Sequence, residues 1–380
     1  MVNSKKNINA LCYLSMIALG LYLSAYQYAL PSITVEYGLD SFTSGLIVSA
    51  HFVAAFIFPF FIGALADKKG RKPVLMLCFG ILLFGVFCVM TINNAFMMVF
   101  SIFIIGGSFS VIEGSMSSLL SEVNPGEEGK VMNISQMYFC AGAVAGPILG
   151  MLLENLTSNW RGVYTIVLVT FAVCIAWLGT AVLPNAAVEK NEEGSTIGKI
   201  IRNKYFILLL IGMFLYVAIE EGTAFWTSEY VDVTLSTAIP SAFFLSIYWL
   251  GMGLARLIVS YYKGNIAKLS AIMLASSVLF FLLILFSTGS VPVLLGFFLV
   301  GFGFAPVWPL IMTLSTTSFP DMPDTAAGGV MSAGSVGAAI APMILGGFTE
   351  MFSIKAAFVV LFIFLALLFV VQMMLMRKKH

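Results

Sequence analysis

Charge is what this chain lacks most. Only 10% of its 380 residues are Asp, Glu, Lys or Arg, against about 25% in an ordinary soluble domain. Sixty per cent are apolar, and the mean hydropathy is +1.01. A water-soluble fold of that composition would aggregate, so this class is excluded. Basic residues outnumber acidic ones by 19 to 18, a balance that gives no sign of a nucleic-acid partner. The five cysteines, Cys12, Cys78, Cys88, Cys140 and Cys174, show neither pairing nor metal spacing and read as small core residues. The chain has no phosphate-binding glycine loop, no metal-ligand cluster and no nucleophile–base arrangement, so neither an enzyme nor an ATP-driven pump is expected. Any work the protein does must draw on an ion gradient or a solute gradient.

What is present is a succession of apolar blocks. They cover 9–31, 41–66, 73–93, 96–120, 131–154, 161–183, 204–229, 238–260, 268–287, 291–315, 326–350 and 354–376. Each is long enough to cross ~30 Å of hydrocarbon as a helix. None has the short alternating pattern of a membrane strand. The first block runs to Pro31 without a small-residue cleavage pattern and reads as a retained helix. Basic loops stay on the cytoplasmic side of a membrane. With the N-terminus inside, 17 of the 19 Lys and Arg fall there, all but Arg161 and Lys355. Both termini are therefore expected in the cytoplasm of a bacterium, with the chain spanning its inner membrane.

The longest polar interruption, 184–203, reads as a cytoplasmic linker between bundles 1–183 and 204–380. A shift of 195 residues pairs Pro125 with Pro320, Gly142 with Gly337, Pro147 with Pro342, Lys68 with Lys263 and Glu113 with Trp308. Weak similarity between two six-helix halves is expected of carriers whose site lies between parallel repeats. The expected fold is thus all-α and integral to the membrane, with twelve transmembrane helices in two pseudo-symmetric six-helix bundles.

Between the second and third blocks stands Gly63-Ala-Leu-Ala-Asp67-Lys68-Lys69-Gly70-Arg71-Lys72. It resembles the signature loop of the major facilitator superfamily, with Lys68 where Arg is usual. That resemblance implies a gating role for Gly63, Asp67, Gly70 and Arg71. Gly63 would let helices approach, Gly70 would permit a tight turn, and Asp67 could pair with Arg71 as a latch. A second resemblance, to the fucose–galactose–hexose:proton symporter branch, rests on four stretches: Gly107 to Glu113, Asn133 to Gln136, Phe214 to Glu221 before Trp226, and Ala305 to Pro309. It implies that Glu113, Asn133 and Gln136 belong to a substrate and proton site. Where that branch has an acid on the first helix, this chain has Gln27. The fifth block carries Gly142-x-x-x-Gly146-Pro147-x-x-Gly150, similar to the motif of drug:proton antiporters. Sugar uptake and organic-cation export therefore both stay open.

Acids inside apolar blocks narrow the site. An ionised Glu113 near the middle of the fourth block would cost about 2.5–3.5 kcal/mol and needs a partner, water or a proton. No basic residue is expected at its depth. Glu220 and Glu221 are adjacent on the seventh helix and point about 100° apart, and both join Glu113 as candidates for proton coupling. Candidate solute ligands are Tyr26, Gln27, Asn133, Gln136, Tyr138, Tyr216, Trp226, Trp249 and Trp308, whose amides and rings could hold hydroxyls, sugar faces or a cation. Glu229 and Asp232 read as solvated, His51 as a packed neutral ring, and Arg256 as snorkelling to the cytoplasmic interface. No cofactor or metal is expected. The expected partners of a monomer are the bilayer, protons and a small-molecule solute.

Overall fold

Backbone groups cannot be left unpaired in hydrocarbon, so long apolar runs satisfy their own hydrogen bonds as helices. The computed structural model describes residues 5–184, 202–319 and 322–377, without the side chains of residues 60, 63, 64, 66–68, 323 and 324. Among the described residues there are thirteen α-helices and no strands. They are α1 (Lys5–Tyr37), α2 (Ser41–Lys69), α3 (Arg71–Thr91), α4 (Ala95–Val123), α5 (Glu128–Thr157), α6 (Val163–Thr180), α7 (Lys204–Thr234), α8 (Ser241–Tyr261), α9 (Ile266–Phe286), α10 (Ser290–Phe304), α11 (Val307–Ser318), α12 (Pro323–Met351) and α13 (Ile354–Arg377).

They make twelve spans long and apolar enough to cross a membrane, the tenth being α10 and α11 together. The sequence read that span as one helix over 291–315. It is broken at Ala305-Pro306, where proline removes a backbone donor and Pro309 falls in the tolerant first turn of α11. Most of the 184–203 linker, together with Pro320 of the repeat and the side chain of Lys68, lies outside what is described.

Packing sorts the helices into two groups. In the first, α1 packs on α4, α5 and α6, α2 on α4, and α3 on α4 and α6. In the second, α7 packs on α12 and α13, α8 on α10, and α9 on α10 and α13. The groups meet along two main seams, α2 with α12 and α5 with α8. These are crossings two and eleven, and five and eight. Advancing by six crossings exchanges the two pairs, which is the pseudo-twofold relation the repeat implied.

The seams differ along their length. One end of the bundle carries the α2–α3 turn at Gly70, whose φ of 86° suits a residue without Cβ. At the opposite end α2 and α12 are in close contact. There a Cβ on Gly45 would collide with Pro342 O, and one on Gly346 with Ser41 O. Ser49 Oγ donates to Ala339 O at 2.5 Å and Ser41 N donates to Glu350 Oε2 at 3.2 Å. On the second seam Ser246 Oγ donates to Val144 O at 2.9 Å. The far end of α1 is fixed to the short 3₁₀ turn Trp160–Gly162, because Arg161 forks onto Glu36 at 2.6 and 2.7 Å and Trp160 Nε1 donates to the same carboxylate at 2.7 Å.

Candidate functional site: a buried carboxyl network between the two halves

The polar side chains of the interior converge from five helices. Arg256 of α8 is 3% exposed, more than one turn inside the helix end at Tyr261. Its Nη2 donates to Glu220 Oε1 at 3.0 Å and to Tyr216 OH at 3.1 Å, both on α7. Its Nη1 donates across the seam to Gln136 Oε1 of α5 at 3.3 Å and contacts Cys140 Sγ at 3.2 Å. Gln136 Nε2 in turn donates to Glu113 Oε1 of α4 at 3.3 Å. A guanidinium from one half thus reaches an acid of the other through one amide. Interface snorkelling is therefore the wrong reading of Arg256, and a basic group does lie at the depth of Glu113. A buried arginine needs charge-paired, fork-shaped recognition, and Glu220 with Tyr216 and Gln136 supplies it.

A second chain runs parallel to the first. Trp249 of α8 donates Nε1 to Gln27 Oε1 of α1 at 3.0 Å, and Gln27 Nε2 donates to Glu221 Oε2 of α7 at 3.1 Å. Gln27 and Glu221 are 0% and 6% exposed. Trp249 and Arg256 are seven residues apart on one helix face, two turns or about 10 Å. The adjacent acids Glu220 and Glu221 diverge onto Arg256 and Gln27 respectively, as their 100° separation requires.

Of the remaining candidates, Tyr26 is buried with its ring edge-on to Phe225 at 5.1 Å. Trp226 is buried, and its Nε1 has no hydrogen-bond partner among the described residues. Asn133 donates to Gly129 O of its own helix at 2.9 Å, and Tyr138 stacks on Tyr13 at 4.7 Å, so neither joins the network. Trp308 is half-buried at the start of α11. Glu113 and Gln136 are half-buried, and a Cβ built on Gly114 or Gly129 meets nothing within 4 Å. The chain around Gln27 is sealed from both ends.

In the gating loop, Arg71 Nη1 pairs with Glu122 Oε2 of α4 at 2.7 Å. The side chain of its expected partner Asp67, and position 63, lie outside the described residues. Lys72 Nζ closes the end of α6 by donating to Gly179 O and Ala181 O at 2.8 and 2.7 Å. The antiporter-like glycines of α5 pack inside their own half. A Cβ on Gly142 would strike Ile17 O of α1, and one on Gly146 would strike Ser24.

Two six-helix groups related by a twofold, with a charged network buried between them, define a polytopic membrane protein of the carrier architecture. The profile of the Major Facilitator Superfamily matches residues 12–328 and 244–380, and the chain belongs to that family. A putative glucose/galactose transporter of Helicobacter pylori is 26% identical over 377 residues, covering 91% of each chain. Among solved structures, the nucleoside transporter NupG superposes with a TM-score of 0.78 at 17% identity over 98% of this chain and 99% of its own. The Escherichia coli fucose:proton symporter FucP superposes with a TM-score of 0.71 at 15% identity over 98% of each.

Proposed function

We propose that the protein moves a neutral, sugar-sized polar solute across the plasma membrane of a bacterium by proton-coupled alternating access. The α2–α3 turn and both termini face the cytoplasm, and halves 1–183 and 204–380 rock about the linker 184–203. The Arg256–Gln136–Glu113 chain carries this reading. Arg256 is drawn by two acids from opposite halves, Glu220 directly at 3.0 Å and Glu113 through the Gln136 amide. A proton on Glu113 removes one of the two pulls, so its arrival and departure change how firmly α5 holds α8.

In the conformation described, Glu113 is half-buried and the end away from the turn is shut by Gly45, Ser49 and Gly346. This is the geometry of a carrier releasing its load to the cytoplasm. Glu220 supports the coupling as the direct partner of Arg256, Glu221 holds the Gln27 clasp, and Gln27, Tyr216 and Trp249 offer amide, hydroxyl and ring surface to the solute. Arg71 with Glu122, around Gly63, Asp67 and Gly70, forms the cytoplasmic gate. The sugar class is supported by the relative named as a glucose/galactose transporter. It is supported too by the network's makeup, in which the one cation is already paired. Export gains nothing from the α5 glycines, because their contacts hold α5 to α1 within one half.

The test is uptake of labelled D-glucose by the purified monomeric protein in liposomes with an alkaline interior. Accumulation that a protonophore collapses is expected. Equal uptake with and without the pH gradient for D-glucose, D-galactose and D-mannose would contradict the proposal.

A further inference from the structure

His51 of α2 is fully buried, yet its Nε2 has no hydrogen-bond partner among the described residues. Its Nδ1 lies 3.4 Å from Tyr22 OH, a marginal bond. One turn further along α1, the hydroxyl of Tyr26 is also buried and without a partner. An orphaned buried polar atom costs about 1–3 kcal/mol. Two of them side by side are costly as packing in an apolar core and useful as ligands in a conformation where they are uncovered.

The position of the cluster supplies that conformation. The three rings lie further from the turn end than Glu113, since His51 packs on Gly106 of α4, seven residues before it. His51 is ten residues, or ~15 Å, from the start of α2, and Tyr26 and Tyr22 are eleven and fifteen residues from the end of α1, level with and just short of Gln27. Their cover comes from the other half of the molecule. Phe225 of α7 stands edge-on to Tyr26 at 5.1 Å and to Phe52 at 6.1 Å. When the α2–α12 seam parts, Phe225 withdraws and the cluster faces the opening. Gln27 follows Tyr26 directly and connects this place to Glu221.

The chemistry favours one kind of ligand. Tyr22 and His51 are close to parallel, 23° apart at 5.8 Å, and Tyr22 and Tyr26 likewise at 6.4 Å, giving flat faces for the C–H side of a sugar ring. A neutral imidazole and two phenols donate and accept, as hydroxyl recognition requires. The ring neighbours of His51 are Tyr22, Tyr26, Phe52 and Phe109, none of them charged.

We propose that His51, Tyr22 and Tyr26 form an outer subsite that binds the hydroxyl groups of a neutral polyhydroxylated solute before the α2–α12 seam closes over it. The proposal rests on the functional reading above and adds to it a site one step before the Glu113 network.

The sequence contains only two histidines, His51 and His380, so a His380→Ala chain leaves one. In liposomes, diethyl pyrocarbonate labelling of that chain, read by mass spectrometry, reports when His51 is uncovered. We expect labelling of the empty carrier as it opens in the absence of solute, and protection by D-glucose. Tyr26→Phe should raise the protecting concentration about tenfold, the loss of one hydrogen bond. A Gly45→Val chain, whose added side chain would collide with Pro342 O, holds the seam apart. Protection that persists there comes from occupancy and not from closure. Labelling that D-glucose does not slow, in protein that takes D-glucose up, overturns the subsite and leaves the functional reading standing. Protection that vanishes in Gly45→Val, or that Tyr26→Phe leaves unchanged, overturns it as well. Absence of uptake for D-glucose, D-galactose and D-mannose removes the functional reading, and the subsite with it.

Discussion

Two amide-bridged carboxyls hang from the same face of α8, and they differ in donor, in burial and in the half that owns the acid. Near the turn end, the guanidinium of Arg256 holds Gln136, which holds a half-buried Glu113 in the opposite half. Seven residues further from that end, a neutral indole holds Gln27, which holds a sealed Glu221 in its own half. The first chain pairs a fixed charge with a half-buried acid, so under the coupling proposed a proton on Glu113 would change its strength. The second contains no cation and no access, so it works as a clasp between α1, α7 and α8. Coupling needs an exchangeable charge, whereas closure needs complementary shape and satisfied hydrogen bonds. The two chains separate these tasks.

Breaking the charged donor should have the largest effect. Arg256→Leu leaves Glu220 buried without its cation, which costs about 3–5 kcal/mol. A marked fall in the apparent Tm of the purified protein and loss of transport are expected, and an unchanged Tm would show that Glu220 has another partner. Breaking the neutral clasp should cost less. Gln27→Leu leaves the Trp249 N–H and one Glu221 oxygen without partners, about 1–3 kcal/mol for each, with a smaller loss of Tm and slower solute exchange. Glu221→Gln should matter least, because an amide can still meet Gln27. Accumulation of solute under a pH gradient should survive it, and its loss would mean that both chains carry protons and the contrast between them is false.

The twelve-span architecture was legible because hydropathy acts over twenty residues at a time. The break at Ala305-Pro306 was not, since the apolar run continues through it from Gly301 to Trp308. Glu113, Gln136, Glu220 and Glu221 stood out as polar groups in apolar blocks, and the structure gathers them. Arg256 was misplaced because a basic residue near a helix end usually reaches for the interface. The available signal was spacing: Trp249, Gly253 and Arg256 recur at four and three residues, which puts the arginine on the face of α8 that Trp249 occupies. The expected Asp67–Arg71 latch missed Glu122, which meets Arg71 only because α4 ends beside the α2–α3 turn. No local pattern announces a partner 51 residues away. Tyr26 stood among the candidate ligands, but its grouping with His51, read as a packed ring, was hidden for a related reason, since their cover comes from Phe225 in the other half.

The claim that everything else serves is that Glu113 is where the proton acts. Glu113→Gln keeps an oxygen able to accept from Gln136 and removes the titration. In liposomes holding this variant, exchange of labelled for unlabelled D-glucose at equal pH should remain near the parent rate, while accumulation under a pH gradient should be abolished. A variant that still concentrates D-glucose when only the pH differs would contradict the account.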